Sequence, residues 1–131
     1  MFCFLKTPHQ QRQLHARAYV QRQEAEALTL QNLPTAREEI KKLYRESAAL
    51  FLEADHPLEA SRSLEAAGLW EEAADMWMNR QKPEKAAPLY ERGGKHVKAS
   101  KSYHMASMYT EATKTLRSGE LYEELVDYLE T

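Results

Sequence analysis

Thiol chemistry is almost missing from this chain of 131 residues: Cys3 is the single cysteine. One thiol closes no internal disulfide, so a reducing, intracellular setting, cytoplasmic or nuclear, is expected. Long apolar runs are missing too. Met1 to Leu5 places five apolar residues before Lys6, too few for the apolar core of a secretory signal. Nothing approaches the roughly 18 apolar residues of a membrane span, so no membrane partner is expected. Glycine is scarce, at four residues, and β-branched residues are few. Period-two alternation is absent, which excludes a sheet-built domain and leaves helices. No sign of charge dominates. The formal net charge is -2, so whole-molecule electrostatics name no partner.

Catalytic and metal motifs are equally absent. No G-x-x-x-x-G-K-[ST] cradles a phosphate and no G-x-S-x-G presents a nucleophile. The histidines are His9, His15, His56, His96 and His104. None pairs at i, i+4 and no cysteine accompanies them, so turn or surface roles explain them without zinc. The many carboxylates fall largely in first helical turns, where the macrodipole favours negative charge. The expectation is a non-enzyme with no catalytic residue, no metal, no cofactor and no small-molecule substrate.

What the chain does have is one short unit written repeatedly. Cut every thirteen residues from Leu58, it gives LEASRSLEAAGLW, EEAADMWMNRQKP, EKAAPLYERGGKH, VKASKSYHMASMY, TEATKTLRSGELY and the shorter EELVDYLET. The third place holds Ala60, Ala73, Ala86, Ala99 and Ala112. The seventh holds Leu64, Trp77, Tyr90, Tyr103 and Leu116, and the fourth is mostly small. No insertion disturbs the phase, which is the mark of a repeat array. The third and seventh places share one helical face. Small residues there admit a close neighbour, and the large seventh residue fills the gap beside it. These ten residues are the expected structural core.

Each unit therefore predicts a helix of roughly nine or ten residues and a short turn. Gly68 and Gly94, with Gly93 and Gly119 one place earlier, mark expected turns. The unit from Glu71 lacks glycine, so Asn79 or Gln81 must serve it. Helices this short do not stand alone in water. Turns of about three residues make neighbours antiparallel, and two units form a hairpin that stacks on the next.

Upstream, Met1 to Leu5 reads as a frayed or mistaken start, or else as a plug for the first helix pair. Gln10 to Leu30 predicts one long helix with a weak stripe of Leu14, Ala18, Ala25 and Leu28. Arg12, Arg17 and Arg22 spiral around it. Pro34 breaks this helix, and Thr35 with Glu38 predicts a capping box for the next. Ile40, Leu43, Tyr44, Ser47, Ala48, Phe51 and Ala54 keep a clean helical stripe, with Ser47 and Phe51 in the third and seventh places. The expected division is 1–34, an N-terminal segment with one long helix, and 35–131, the repeat array.

LEAAGLWEEAADMW, PEKAAPLYERGGKHVKASKSY and MYTEATKTLRSGELYEELVDYLE resemble the helical-repeat region of the large, mainly fungal TPR and ankyrin-repeat proteins that carry a superfamily 1 helicase-like ATPase domain. The resemblance covers roughly Arg37 to Thr131, and related patterns recur in clathrin, coatomer and intraflagellar-transport solenoids. Three features depart from it. The ATPase motif is missing, the ankyrin T-P-L-H is missing, and the period is not the 34 residues of an ordinary TPR. The resemblance therefore implies a detached piece of scaffold rather than a helicase.

The expected fold is all-α: a right-handed α-solenoid of short antiparallel helical hairpins, TPR-like, with about eight helices, the last over 123–130. One charge asymmetry stands out. Arg80, Lys82, Lys85, Arg92, Lys95, Lys98 and Lys101 oppose only Glu84 and Glu91, while Glu111 to Thr131 is acid-rich. Lys85 and Lys98 share the second place of adjacent units and could form a ladder. The expected function is protein–protein interaction, with these seven residues as the candidate surface for an acidic partner. The alternative is an accessory segment of a helicase-like ATPase that touches nucleic acid through these residues and the Arg-bearing first helix.

Overall fold

A computed structural model of the chain describes residues 6–119 and Leu129. Among the described residues every regular element is helical. α1 spans Pro8–Gln31, α2 Arg37–Glu53, α3 Pro57–Ala66, α4 Trp70–Asn79, α5 Pro83–Arg92, α6 His96–Met105 and α7 Tyr109–Ser118. A 3-10 turn at Pro34–Ala36 precedes α2. The expected helix over 123–130, the acid-rich run beyond residue 119 and the reading of Met1 to Leu5 lie outside the described residues, Leu129 excepted.

Helices α3 to α7 are each ten residues long and begin thirteen residues apart. They start one residue before each sequence cut. Trp70 and Tyr109, the last residues of their units as cut, are therefore the first residues of α4 and α7.

The links explain how ten helical residues and three linking ones suffice. Asp55, Gly68, Gln81, Gly94 and Ser107, thirteen apart, all take positive φ, between 61° and 75°. Each donates its N–H back into the helix it ends, as Gly94 does to Glu91 O at 3.0 Å and Gln81 to Met78 O at 2.9 Å. The next residue usually closes a longer loop: His56 to Phe51 O, Lys82 to Trp77 O, Lys95 to Tyr90 O and Met108 to Tyr103 O, all 2.8–2.9 Å. This is the Schellman arrangement. The same residue then opens the next helix, since Lys95 O accepts from Ala99 N at 2.9 Å and Met108 O from Ala112 N at 3.0 Å. One backbone position thus ends one helix and starts another.

Of the expected turn glycines, only Gly68 and Gly94 use the left-handed conformation. Gly93 and Gly119 have ordinary φ, -81° and -83°, and are small for another reason. A Cβ on Gly93 would lie 3.1 Å from Trp70 Cβ, and one on Gly119 would lie 2.7 Å from His96 Cγ. The end of α5 thus meets the start of α4, and the end of α7 meets the start of α6. Those pairs are antiparallel hairpins.

The chain divides into two compact units, Met1–Gly68 and Leu69–Thr131. In the first, α1 packs on α2 and α2 on α3. The expected boundary after residue 34 lies inside this unit. Ala18 and Ala25 of α1 are fully buried. Ser47 of α2 donates to Ala18 O at 2.8 Å and lies 3.3 Å from Ser63 Oγ. The expected Thr35–Glu38 capping box does not form. The 3-10 turn absorbs Thr35, and α2 starts at Arg37 without a side-chain cap. A capping box forms instead at Thr7 and Gln10, where α1 begins.

In the second unit α4, α5, α6 and α7 pack in succession. α6 also reaches back to α4, with Ser102 Oγ 3.6 Å from Met78 Sδ. The third-place alanines Ala60, Ala73, Ala86, Ala99 and Ala112 have no exposed surface. The seventh-place residues Leu64, Trp77, Tyr90, Tyr103 and Leu116 are at most 7% exposed. Truncating a buried aromatic of this kind costs about 3–5 kcal/mol. The sixth place is buried as well, through Ser63, Met76, Leu89, Ser102 and Thr115. Its hydroxyls escape desolvation by bonding back one turn, Ser102 to Lys98 O at 2.9 Å and Thr115 to Glu111 O at 2.8 Å.

No described helix is long and apolar enough to cross a membrane.

Candidate interaction surface

All seven candidate basic residues lie in the second unit, with their side chains exposed. They do not form one patch. Consecutive helices run in opposite directions, so equivalent places in adjacent units fall at opposite ends. Arg92, Lys95 and Lys98 gather around the first two residues of α4. The Arg92 guanidinium lies 5.4 Å from the Trp70 ring centroid. Lys95 Nζ is 3.7 Å and Lys98 Nζ 3.5 Å from Glu71 carboxylate oxygens. Arg80, Lys82 and Lys85 sit at the other end of α4 and the start of α5, about 14 Å away along the helix axis. Lys101 stands on α6 between them.

The expected Lys85–Lys98 ladder becomes a repeated packing motif instead. Lys85 Nζ stands 4.7 Å from the ring centroid of Trp77, and Lys98 Nζ 5.8 Å from that of Tyr90. Each second-place lysine thus covers the seventh-place aromatic of the preceding helix, a cation–π contact worth about 0.5–1 kcal/mol at an exposed site. The first unit makes the same contact with different residues. Its second-place residue is Glu59, and the cation over Phe51 is Arg22 from α1, 4.9 Å from the ring centroid and 2.8 Å from Glu59.

The seventh-place tyrosines are anchored by carboxylates. Tyr90 donates to Asp75 and Tyr103 to Glu91. Burial, followed by these carboxylate partners, raises both phenols well above the usual tyrosine value, so they remain donors. Glu91 is thereby committed to Tyr103. Trp77, Tyr90 and Tyr103 are also too deeply buried to stack on nucleic-acid bases, which need open ring faces.

The electrostatics of the α6 end depart from those of its neighbours. α2, α3, α4, α5 and α7 all carry acid in the first turn: Glu38 and Glu39, Glu59, Glu71 and Glu72, Glu84, and Glu111. α6 carries none. Its N-cap is Lys95, its first residue is His96 and its third is Lys98. The positive end of a helix dipole and two lysines thus coincide, with Arg92 beside them.

Among the described residues no three histidine, cysteine, aspartate or glutamate side chains converge where an ion could be held. Compared with protein-family models, with curated proteins and with solved structures, the chain finds no match.

Proposed function

We propose that this chain is a non-catalytic helical-repeat scaffold that binds an acidic protein partner, its hairpins stacked as a right-handed, TPR-like solenoid. The observation that carries this reading is the α6 end. Five of the seven described helices carry an acid in the first turn; α1 and α6 do not, and of these two it is α6, inside the basic run, that gathers Lys95, Lys98 and Arg92 in solvent. Local rules are broken at a stability cost, and such breaks concentrate where a protein does something besides fold. Among the described residues, Lys95 and Lys98 both meet the Glu71 carboxylate. An acidic segment would take over that role and add charge-assisted hydrogen bonds. The resemblance to helical-repeat regions of helicase-associated TPR proteins fits a scaffold of this kind.

The test is fluorescence anisotropy with a labelled 20-residue polyglutamate peptide at low and physiological salt. Wild type should bind, more weakly as salt rises. The variant Lys95→Glu/Lys98→Glu should lose most of the affinity, and Lys82→Glu should lose little. Equal affinity in all three proteins would refute the reading. Binding of a single-stranded oligonucleotide with no binding of the peptide would favour a nucleic-acid role instead.

A further inference from the structure

In the first unit a groove of about 480 Å³ is walled by Pro8, Gln11, Arg12, His15, Ala16 and His56. It lies between the first turns of α1 and the residue that caps α3. Two imidazoles meet there, with the ring centroids of His15 and His56 4.3 Å apart and their planes tilted by 58°. The His15 ring is held from behind, edge-on to Tyr19 at 4.8 Å and to Phe51 at 5.5 Å. Phe51 is fully buried, so this imidazole is fixed on a rigid support. Arg12 lies three residues before His15, on the same face of α1. Its guanidinium is exposed and takes no part in the ion pairs among the described residues of this unit.

We propose that this groove binds the phosphate group of a small molecule. Among the described residues no carboxylate lines it. Each of its polar side chains can donate: the Arg12 guanidinium, the N–H groups of His15 and His56, and the Gln11 amide. The guanidinium fork matches a phosphate edge bidentately. The imidazoles complete a donor set around a single anion. Pro8 and Ala16 add an apolar wall on which an organic substituent can rest. The nearest acid in sequence, Asp55, is outside the lining, and Arg22 is turned towards Glu59. A cation would meet Arg12 and only two imidazoles, fewer than the three or four protein ligands zinc takes.

The test follows the histidine ring protons by NMR while inorganic phosphate or phenyl phosphate is added at constant ionic strength and pH. Saturable shifts are expected at His15 and His56, and none at His96 or His104 in the other unit. Arg12→Gln should weaken binding about tenfold or more, the usual effect of losing hydrogen bonds to a charged group. A circular dichroism melt of that variant should match wild type, because Arg12 is exposed. Tighter binding of phenyl phosphate identifies an organic ester as the ligand class, and equal binding identifies free phosphate. Linear, non-saturating shifts would overturn the proposal. So would unchanged affinity in Arg12→Gln, or saturation by zinc chloride with phosphate inert.

Discussion

Lys85 holds its ammonium 4.7 Å above the ring centroid of Trp77, a buried side chain on the preceding helix. The contact closes the outer side of the α4–α5 pair. Lys85→Ala should lower stability by about 0.5–1 kcal/mol, and Lys85→Arg should retain it. Lys101 is also exposed and makes no such contact among the described residues, so Lys101→Ala serves as control. Urea denaturation of the three variants checks this. Equal losses from Lys85→Ala and Lys101→Ala would remove the contact from the account.

Ala86 is the third-place residue of α5 and has no exposed surface. Ala86→Leu should overpack the helix contact and cost about 1–3 kcal/mol. Ala66→Leu, at the exposed end of α3, should be close to neutral. Thermal melts of the two variants separate a packed register from a general effect of added leucine.

The eleventh-place residues share one backbone conformation but not one residue type. Gln81 has φ 61° and Ser107 has φ 62°, a region that penalises any Cβ. Gln81→Gly should therefore stabilise by up to about 1 kcal/mol, the relieved strain being partly offset by glycine's greater freedom in the unfolded chain. Gly94, with φ 75°, should respond oppositely, and Gly94→Ala should destabilise by a similar amount. Chemical denaturation midpoints give both signs.

Glu59 is the pH-sensitive tie of the first unit. Its hydrogen bond from Arg22 holds its carboxyl below the ordinary value of 4.5. A lowered folded-state value stabilises above the unfolded one, and that contribution is lost as pH falls through the folded value. Glu59→Gln should thus cost stability at pH 7, and its deficit against wild type should shrink as pH falls below the ordinary carboxyl value of 4.5. Melting temperatures from pH 7 to pH 3 check this. A deficit that stays constant would assign it to packing rather than charge.

Much of the fold was legible because the packing rule is written in residue size. The alanines from Ala60 to Ala112 and the large residues from Leu64 to Leu116 repeat at thirteen residues, and each sits in the core its place predicts. Four things were not legible. The sixth place is buried, yet at Ser63, Ser102 and Thr115 its residues look polar, because i−4 carbonyls satisfy Ser102 and Thr115 and the Ser47 hydroxyl meets Ser63. The small size of Gly93 and Gly119 reflects neighbours at Trp70 and His96, which a linear pattern does not reveal. The candidate surface was mapped as one run from Arg80 to Lys101. Alternating helix direction divides it, since only every second unit points the same way. Arg12, His15 and His56 carried no signal as a group, because His56 reaches the other two only through the packing of α1 on α2.

The central claim is that the thirteen-residue unit, counted in pairs, sets the architecture. Deleting Pro83 to Met108 removes two units and joins Lys82 to Tyr109, so the remaining helices keep their places and directions. Deleting Pro83 to Ser102 removes about as much chain but breaks the phase. Circular dichroism melts of the two deletions are the most direct test, because array stability is a sum of neighbour contacts. The in-phase deletion should keep wild-type helicity per residue and a cooperative transition, and the out-of-phase one should lose both. Equal loss of helicity and cooperativity in the two would contradict the account.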